Sequence, residues 1–296
     1  MTLTPERFEQ LSTALAQGGL GSLVDATERR GSRLLSLTLE GEGRVLASLD
    51  PSESELTAAR ALRQHPVNAT PLLHESSAVA FYEELPFQPL ASDWTVVAFA
   101  EAGRSLGAFH QQWKGQVPPL EQCDAPWFSR AAPFVLAEVA SLAERGEYTL
   151  SPAQVGQLEE AGVVVAELAE PLSGLMPTLV HGQCSAANAG FANGRFVLAD
   201  WTNAGAGLAW LDVAQLGSEA LARGEAGLIA FVRSYGLAAG YEPTLIGDLI
   251  PFCLALACVR GLGVLNRELT SGRAVSGSLR EAGNGLTRQF LDVIAI

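Results

Sequence analysis

The hydrophobic pattern of the sequence changes once along the chain, and this change limits the folds that the chain can adopt. After a first, amphipathic helix, the region from Leu23 to about Leu90 has short apolar runs separated by turn residues, which is typical of strands. From about Pro89 onward, apolar residues recur at spacings of three and four, which is typical of amphipathic helices. The order predicts an α+β protein with two lobes, a β-rich lobe over residues 1–90 and a helical lobe over residues 91–296.

The first lobe is predicted to be a small antiparallel sheet with one inserted helix. Within SRLLSLTLEGEGRVLASLD, two strand-like runs are joined by Gly41-Glu42-Gly43, which indicates a hairpin because glycine adopts positive φ without strain. Pro51-Ser52 marks the start of a helix in which Leu56, Ala59 and Leu62 recur at helical spacing. The runs ATPLLHES and AVAFYEEL predict two further strands.

The second lobe is predicted to be almost entirely helical. Ser151 and Pro152 stand at the N-cap and first helical positions of one of its segments. The hairpin around Asn193-Gly194 is the only clear β signal in this half. The longest apolar run, Leu249 to Val259, is shorter than the roughly 20 residues that cross a bilayer, so it predicts a buried helix.

Composition and charge exclude some classes of partner. With 48% hydrophobic and 17% charged residues, the 296-residue chain is predicted to be a folded, soluble protein. Its formal net charge of −13 repels polyanions, so nucleic acid is not expected as a partner, whereas a cationic small molecule would be tolerated or steered inward. The same acidity would also serve solubility alone.

The cysteines and the N-terminus indicate a cytoplasmic protein. The chain has no C-x-x-C pair and is too long to need disulfides, so reduced thiols are expected at Cys123, Cys184, Cys253 and Cys258. The N-terminal segment has neither a basic start nor an apolar core, so no signal peptide is expected. No membrane partner is expected either.

One stretch, LVHGQCSAANAGFANGRFVLADW, concentrates polar residues in apolar surroundings. Its polar clusters, His181-Gly182-Gln183 and Asp200-Trp201, flank a predicted hairpin. Asn188 offers a neutral oxygen and Asp200 an anionic one, and both are ligands suited to Mg²⁺. A hairpin can bring these two side chains to one ion. In the alternative interpretation, Asn188 caps a loop and Asp200 bonds the backbone.

This order of residues resembles the catalytic segment of the aminoglycoside phosphotransferase and choline kinase-like family, which has the protein-kinase-like fold. The family pattern is H-G-D-x-x-x-x-N, a hairpin, I-D-W or I-D-F, and then D-L-A near the start of a helix. The matching positions, all within a catalytic-type segment at residues 179–216, are His181, Gly182, Gln183, Asn188, Asp200, Trp201 and Asp212. The resemblance extends from Leu23 to about Leu216.

The resemblance implies ATP and Mg²⁺ as cofactors, with His181 in the catalytic loop and with Asn188 and Asp200 as metal ligands. At the position of the family's catalytic Asp, however, this chain has Gln183. An amide has no useful basicity at neutral pH, and general-base assistance is typically worth about 10²–10⁴ in rate. Gln183 alone therefore predicts a slow enzyme rather than none.

The resemblance also assigns residues to nucleotide and acceptor binding. Glu55 stands where the first-lobe helix of the family carries its glutamate. Glu83 lies in FYEELPFQPL, which looks like the hinge that binds adenine through backbone groups. Acceptor recognition in the family lies on the variable helical insert, here about Lys114 to Met176, and its sequence does not identify an acceptor.

The phosphate-binding groups of the family are missing from the first lobe. The strand RVLASLD should carry a lysine, but Ser48 or the neighbouring Ala47 stands there, and Arg44 is the only cation of the strand. No lysine occurs anywhere between Met1 and Trp113. The glycine-rich phosphate loop is reduced to TERRGSRLL, with Gly31 as its single glycine.

These departures predict a pseudokinase-like member of the family that binds a small ligand or a protein partner. Mg²⁺ and ATP are its cofactors if any binding is retained. The alternative is an active ATP- and Mg²⁺-dependent phosphotransferase that acts on a small hydroxyl-bearing molecule, with Arg44 or another cation in place of the lysine. A third interpretation makes Cys184 a nucleophile, which requires a thiol of low pKa and an oriented His181. His110 is expected to be a core residue.

Overall fold

The computed structural model describes residues 4–28, 34–41, 43–64, 69–76, 78–92, 95–169, 172, 174–270 and 277–295. Within these residues, an antiparallel sheet near the N-terminus is followed by a larger, mostly helical part. This is the α+β architecture that the change of pattern predicts.

The N-terminal sheet has five strands and is antiparallel throughout. Its strands are β1 (Leu23–Glu28), β2 (Leu34–Leu39), β3 (Arg44–Leu49), β4 (Leu72–Glu75) and β5 (Val79–Glu83). They lie in the order β1-β2-β3-β5-β4. Helix α1 (Pro5–Gln17) precedes the sheet, and α2 (Glu53–Gln64) is the predicted helix between β3 and β4.

The predicted hairpin joins β2 to β3. The backbone N–H of Leu39 donates to the carbonyl oxygen of Gly43 at 2.7 Å. Gly41 has a φ of 82°, a conformation in which only glycine avoids a steric penalty. Glu42, the middle residue of the predicted turn, lies outside the described residues.

The two faces of the N-terminal sheet pack against different helices. Ala47 belongs to a buried cluster with Leu11 of α1. Leu46 belongs to a separate cluster with Leu56 of α2. Because side chains alternate across a strand, Ser48 shares the face of Leu46 and is directed toward α2. Of the two candidate positions for the missing lysine, Ser48 is therefore the one on the face of α2.

Most of the described C-terminal part is helical. Its helices are α3 (Val96–Trp113), α4 (Ala125–Glu144), α5 (Pro152–Ala169), α6 (Trp210–Arg223), α7 (Glu225–Ala239), α8 (Pro243–Thr270) and α9 (Gly277–Ile294). The predicted start of α5 is confirmed, because the N–H of Gln154 donates to Ser151 Oγ at 3.3 Å and the N–H of Ser151 donates to Gln154 Oε1 at 2.9 Å. This reciprocal pair is a capping box.

Helices α3 and α7 approach each other closely because glycines face the contact. A Cβ atom on Gly103 would collide with the carbonyl oxygen of Phe231, and one on Gly107 would lie 2.7 Å from the carbonyl oxygen of Tyr235. The close approach brings His110 of α3 next to Tyr235 of α7. It thereby builds part of the support under the candidate site.

Two small sheets lie within the helical part. Strands β9 (Ala189–Ala192) and β10 (Arg195–Leu198) form the predicted hairpin, and β6 (Phe87–Pro89) pairs with β9, so residues 87–89 already join the C-terminal part. The second sheet was not predicted. It joins β7 (Gln122–Cys123), β11 (Gly205–Gly207) and β8 (Thr178–Val180). Strands of two or three residues are too short to produce an alternating pattern.

Helix α8 extends well beyond the apolar run that predicts it. It continues past Arg260 to Thr270 and keeps Pro251 within its length. The segment from Ile250 to Thr270 is long and apolar enough to cross a membrane by length and composition, but 67% of its apolar window is buried inside the protein. Within this fold α8 is a core helix, as predicted.

Candidate functional site

The catalytic-type loop, residues 181–188 between β8 and β9, is held in place by Asp212 at the start of α6. The N–H of His181 donates to Asp212 Oδ2 at 2.7 Å, and the N–H of Gly182 donates to Asp212 Oδ1 at 2.8 Å. Asp212 Oδ2 is also 3.2 Å from His110 Nε2. Burial raises the pKa of Asp212, but His110, His181 and these hydrogen bonds outweigh burial and hold the pKa below its usual value. Asp212 is therefore an ionised anchor for the loop.

His181 connects this loop to the segment that carries Asp200. Its Nε2 donates to the carbonyl oxygen of Ala199 at 2.8 Å, and its ring lies 4.7 Å from that of Trp201. The side chain is fully buried, and burial lowers its pKa, so the ring is neutral. His181 thus positions the loop, as the resemblance implies, and is not exposed to a reactant.

His110 is the core residue that the sequence predicts. It is 3% exposed, and its Nδ1 is hydrogen-bonded to the hydroxyl of Tyr235 at 3.0 Å. Its other ring nitrogen faces Asp212. Both nitrogens have partners inside the protein, which makes His110 a support for Asp212.

Gln183 lies at the exposed surface of the loop, and its amide is already engaged. Its Oε1 accepts a hydrogen bond from Asn203 Nδ2 at 2.9 Å. Its backbone oxygen accepts one from Asn188 Nδ2 at 3.2 Å. The residue at the position of the catalytic carboxylate is therefore fixed by a neutral amide pair with Asn203.

Asn188 and Asp200 lie at the open end of the β9–β10 hairpin. The last paired residues are Ala189 and Leu198, and beyond them the N–H of Ala199 donates to the carbonyl oxygen of Asn188 at 2.8 Å. Asp200 follows directly and adopts a left-handed conformation with φ 66°. A non-glycine residue in this region is strained, and such residues cluster at functional sites.

The donor set at the hairpin end suits a hard cation. Asn188 uses its amide nitrogen for Gln183, which leaves its amide oxygen as the end able to bind a metal, and Asp200 contributes a carboxylate whose Oδ1 accepts from Thr202 at 2.6 Å. Among the residues that the structure describes, no three His, Cys, Asp or Glu side chains form a metal-binding group. A Mg²⁺ ion here would take its remaining ligands from water or phosphate oxygens.

Glu55, the predicted glutamate of the first-lobe helix, is hydrogen-bonded to a tyrosine. Glu55 is 2% exposed, and its Oε1 accepts a hydrogen bond from the hydroxyl of Tyr82 at 2.8 Å. Tyr82 lies on β5 opposite Leu46, on the sheet face that Ser48 shares. Burial, and then the charge of Glu55, raise the pKa of Tyr82, so the phenol stays protonated and donates.

No other lysine of the chain can replace the missing one. The single lysine in the sequence is Lys114, and its Nζ lies 5.4 Å from the centre of the Tyr241 ring in the helical part. Arg44 is exposed and is paired with Thr38, four residues along β3 from Ser48. At about 3.3 Å per residue, it lies about 13 Å from Ser48. The loop around Gly31 lies outside the described residues.

Glu83 lies where the N-terminal sheet passes into the C-terminal part. Its backbone N–H donates to the carbonyl oxygen of Pro71 at 2.9 Å, and its side chain is exposed. A cavity of about 770 Å³ opens beside Glu83 and Leu85 and reaches the turn at Asn193. The segment has the position of a hinge, but the amide of Glu83 is used within the sheet.

Cys184 does not have the environment of a nucleophile. It is fully buried, and burial raises its pKa well above the ordinary thiol value. Its backbone N–H donates to Gln215 Oε1 at 2.7 Å, which places the residue under the loop rather than at its surface. The thiol-nucleophile interpretation is therefore wrong.

Sequence reasoning missed three residues that shape the site. Tyr82 could be recognised only from the strand register that places it opposite Leu46. Asn203 lies 20 residues after Gln183, whose side chain it binds, and it is not part of the family pattern. Arg260 of α8 is 6% exposed, and its Nη2 donates to the carbonyl oxygen of Asn203 at 2.5 Å. The only sequence signal for Arg260 is a charge at the end of an apolar run.

Comparisons with known proteins agree with this geometry. The sequence model of the phosphotransferase enzyme family (APH) matches residues 28–245. No curated protein matches the sequence significantly. Among solved structures, a choline/ethanolamine kinase family protein from Mesorhizobium loti has a TM-score of 0.71 at 17% identity, covering 97% of this chain and 94% of its own.

Two further solved structures show the same similarity. The choline kinase LicA from Streptococcus pneumoniae has a TM-score of 0.69 at 13% identity, over 97% of this chain and 99% of its own. The macrolide 2'-phosphotransferase MphH from Brachybacterium faecium has a TM-score of 0.64 at 17% identity, over 96% of this chain and 98% of its own. At these identities the solved structures establish the fold, which is the predicted protein-kinase-like one.

Proposed function

Because the chain belongs to the phosphotransferase enzyme family, we propose that it is a small-ligand-binding member in which phosphate transfer is impaired. The observation that carries the proposal is the hydrogen bond between Tyr82 and Glu55 on the sheet face of Ser48. In active kinases, a lysine paired with this glutamate holds the nucleotide phosphates. Here the neutral hydroxyl of Tyr82 donates a hydrogen bond to the glutamate, and Ser48 stands in place of the lysine.

The amide of Gln183 supports the same conclusion on the acceptor side of the site. Gln183 cannot accept a proton at neutral pH, and Asn203 holds its oxygen. Phosphoryl transfer depends mainly on positioning and on neutralising phosphate charge. A protein that lacks both the lysine and the carboxylate retains only part of this stabilisation.

A second candidate is an active ATP- and Mg²⁺-dependent phosphotransferase for a small hydroxyl-bearing molecule. The intact anchoring of the loop by Asp212 favours it, as do Asn188 and Asp200 at one end of the hairpin. In addition, the connection between β1 and β2 contains Arg29, Arg30 and Arg33, which could supply cations for phosphate. Asn188 and Asp200 would then hold Mg²⁺, which would neutralise part of the phosphate charge.

The two candidates differ in what the nucleotide phosphates contribute to binding. Calorimetric titration with adenosine, ADP and ATP, each with Mg²⁺, measures this contribution. If the phosphate-binding groups are lost, ATP will bind no more tightly than adenosine, or no nucleotide will bind. The matched control is Asp200→Ala, which removes the proposed metal ligand.

The active alternative predicts the opposite pattern. ATP would then bind at least about tenfold more tightly than adenosine, which corresponds to about 1.4 kcal/mol. The advantage would require Mg²⁺ and would be lost in Asp200→Ala. That pair of results would contradict the loss of the phosphate-binding groups, which is the observation that carries the proposal.

We also propose a cytoplasmic location for the protein. Its four cysteines are all free and buried, which suits a reducing compartment. ATP, the cofactor that the family implies, is a cytoplasmic metabolite. Its partners are proposed to be small molecules rather than nucleic acid or membrane, since the net charge of −13 repels both polyanions and anionic surfaces.

A further inference from the structure

A second cavity opens beside Gln183 on the side of the last two helices. It has a volume of about 360 Å³ and lies between the catalytic-type loop, α8 and α9. Its lining includes Gln183, Asn203 and Arg260 on one side and Val264, Leu265 and Leu286 on the other. A molecule in this cavity would lie against the position of the missing catalytic carboxylate.

One side of the cavity is polar and carries a buried positive charge. Arg260 is 6% exposed and donates to the carbonyl oxygen of Asn203. Its guanidinium lies so close to Gly182 that a side chain at that position would collide with it. Among the described residues, no carboxylate forms an ion pair with Arg260. A buried charge without an ionic partner is costly, so an anionic ligand group would be favoured here.

The other side of the cavity is aliphatic. Val264 and Leu265 of α8 and Leu286 of α9 form this side. Of the described residues that line the cavity, none is Asp or Glu and none is aromatic. Carboxylates are the groups that pair with an ammonium, and aromatic faces are the groups that recognise quaternary ammonium ions. The lining therefore provides neither a carboxylate nor an aromatic ring to replace the water that a bound cation would lose.

We propose that this cavity binds a small molecule with an aliphatic chain and a carboxylate or similar anionic group, and that it discriminates against cations. The anionic group would contact Arg260, and the chain would lie along Leu265 and Leu286. This inference rests on the small-ligand binding proposed above and specifies the class of ligand. It also differs from what the net charge of −13 predicts, because the local charge at the site is positive.

The test uses three ligands of equal chain length that differ at one end. They are 6-hydroxyhexanoate, 1,6-hexanediol and 6-aminohexan-1-ol, titrated calorimetrically into the full chain without nucleotide. The hydroxy acid is expected to bind most tightly and the amino alcohol at least about tenfold more weakly, because like charges at a partly buried site repel strongly. Omitting nucleotide keeps this result independent of whether the protein transfers phosphate.

Arg260→Gln removes the charge but also weakens the contact with Asn203, so it changes the charge and the local structure together. A second variant therefore changes the charge of the cavity and leaves Arg260 in place. Gln289→Glu places a carboxylate at the exposed rim of the cavity without changing size. It should weaken the hydroxy acid by about fivefold and strengthen the amino alcohol, since unit charges about 4 Å apart interact appreciably even in water. Gln157→Glu, an exposed position on α5, is the matched control and should change neither affinity.

Any one of three results would overturn the inference. In the first, 6-aminohexan-1-ol binds as tightly as 6-hydroxyhexanoate or more tightly. In the second, none of the three ligands binds at millimolar concentration. In the third, Gln289→Glu and Gln157→Glu change the affinities alike. The proposed impairment of phosphate transfer would stand or fall separately, by its own titration with nucleotides.

Discussion

The chemistry of the site depends on the side chains at two positions, 48 and 183, whose roles depend on their neighbours. Ser48 matters because it faces α2, where Tyr82 already binds Glu55. Gln183 matters because Asn203 holds its amide at the surface of the loop. The protein thus keeps the fold with neither the lysine nor the carboxylate of the family pattern at these two positions.

Restoring the carboxylate alone should not create an efficient kinase. Gln183→Asp supplies a base, but the phosphates remain without their lysine, so its steady-state ATP turnover with hydroxyl acceptors should stay below about 1 s⁻¹, the lower end of the usual range. Gln183→Asp with Ser48→Lys should exceed the product of the two single effects, because both groups act on one transition state. Adding Tyr82→Phe should increase the gain, because it removes the hydrogen bond that competes with the lysine for Glu55.

The matched control for this series carries its lysine elsewhere on β3. Gln183→Asp with Arg44→Lys places an ammonium four residues from Ser48 and should give no gain over Gln183→Asp. An equal gain from the two lysine positions would contradict the role assigned to Ser48. So would full activity in Gln183→Asp alone.

Among the structural elements, α6 fixes the loop through one buried carboxylate. Asp212→Ala leaves the N–H groups of His181 and Gly182 and the ring of His110 without their acceptor. Removing one partner from a buried charged network costs about 3–5 kcal/mol, so denaturant unfolding should show a loss of that order. Glu225→Ala, an exposed first-turn change on α7, should cost less than about 0.5 kcal/mol. A similar small loss for Asp212→Ala would show that the loop does not depend on this anchor.

The elements also differ in how well the sequence predicts them. The β2–β3 hairpin, the β9–β10 hairpin and the start of α5 were predictable because glycine turns and caps act within a few residues. Strands β7, β8 and β11 were not, because their two or three residues are held by partners distant in the chain. The motif around His181 predicted the loop, but the bond between Tyr82 and Glu55 depends on register and could not be predicted.

At the scale of the whole molecule, the reactivity of the cysteine thiols measures how well the core excludes solvent. The four cysteines are buried in the C-terminal part, two of them, Cys253 and Cys258, on α8. Burial raises the pKa of Cys123 to about 11 and of Cys258 to about 12. The native protein should therefore not react with 5,5'-dithiobis(2-nitrobenzoate) at pH 8, where thiolate formation is negligible. All four should react in guanidinium chloride. A fast-reacting native thiol that Cys184→Ala removes would revive the nucleophile interpretation.

The measurement that tests the central claim most directly is steady-state phosphate transfer from ATP by the unaltered protein. It should be made with Mg²⁺ and a panel of acceptors that includes hydroxy acids, neutral alcohols and amino alcohols. Without the carboxylate and the lysine, turnover is expected at least about 10²-fold below the lower end of the usual range of about 1–10³ s⁻¹. Turnover within that range for any acceptor, abolished by Asp200→Ala, would contradict impaired transfer and establish the active phosphotransferase.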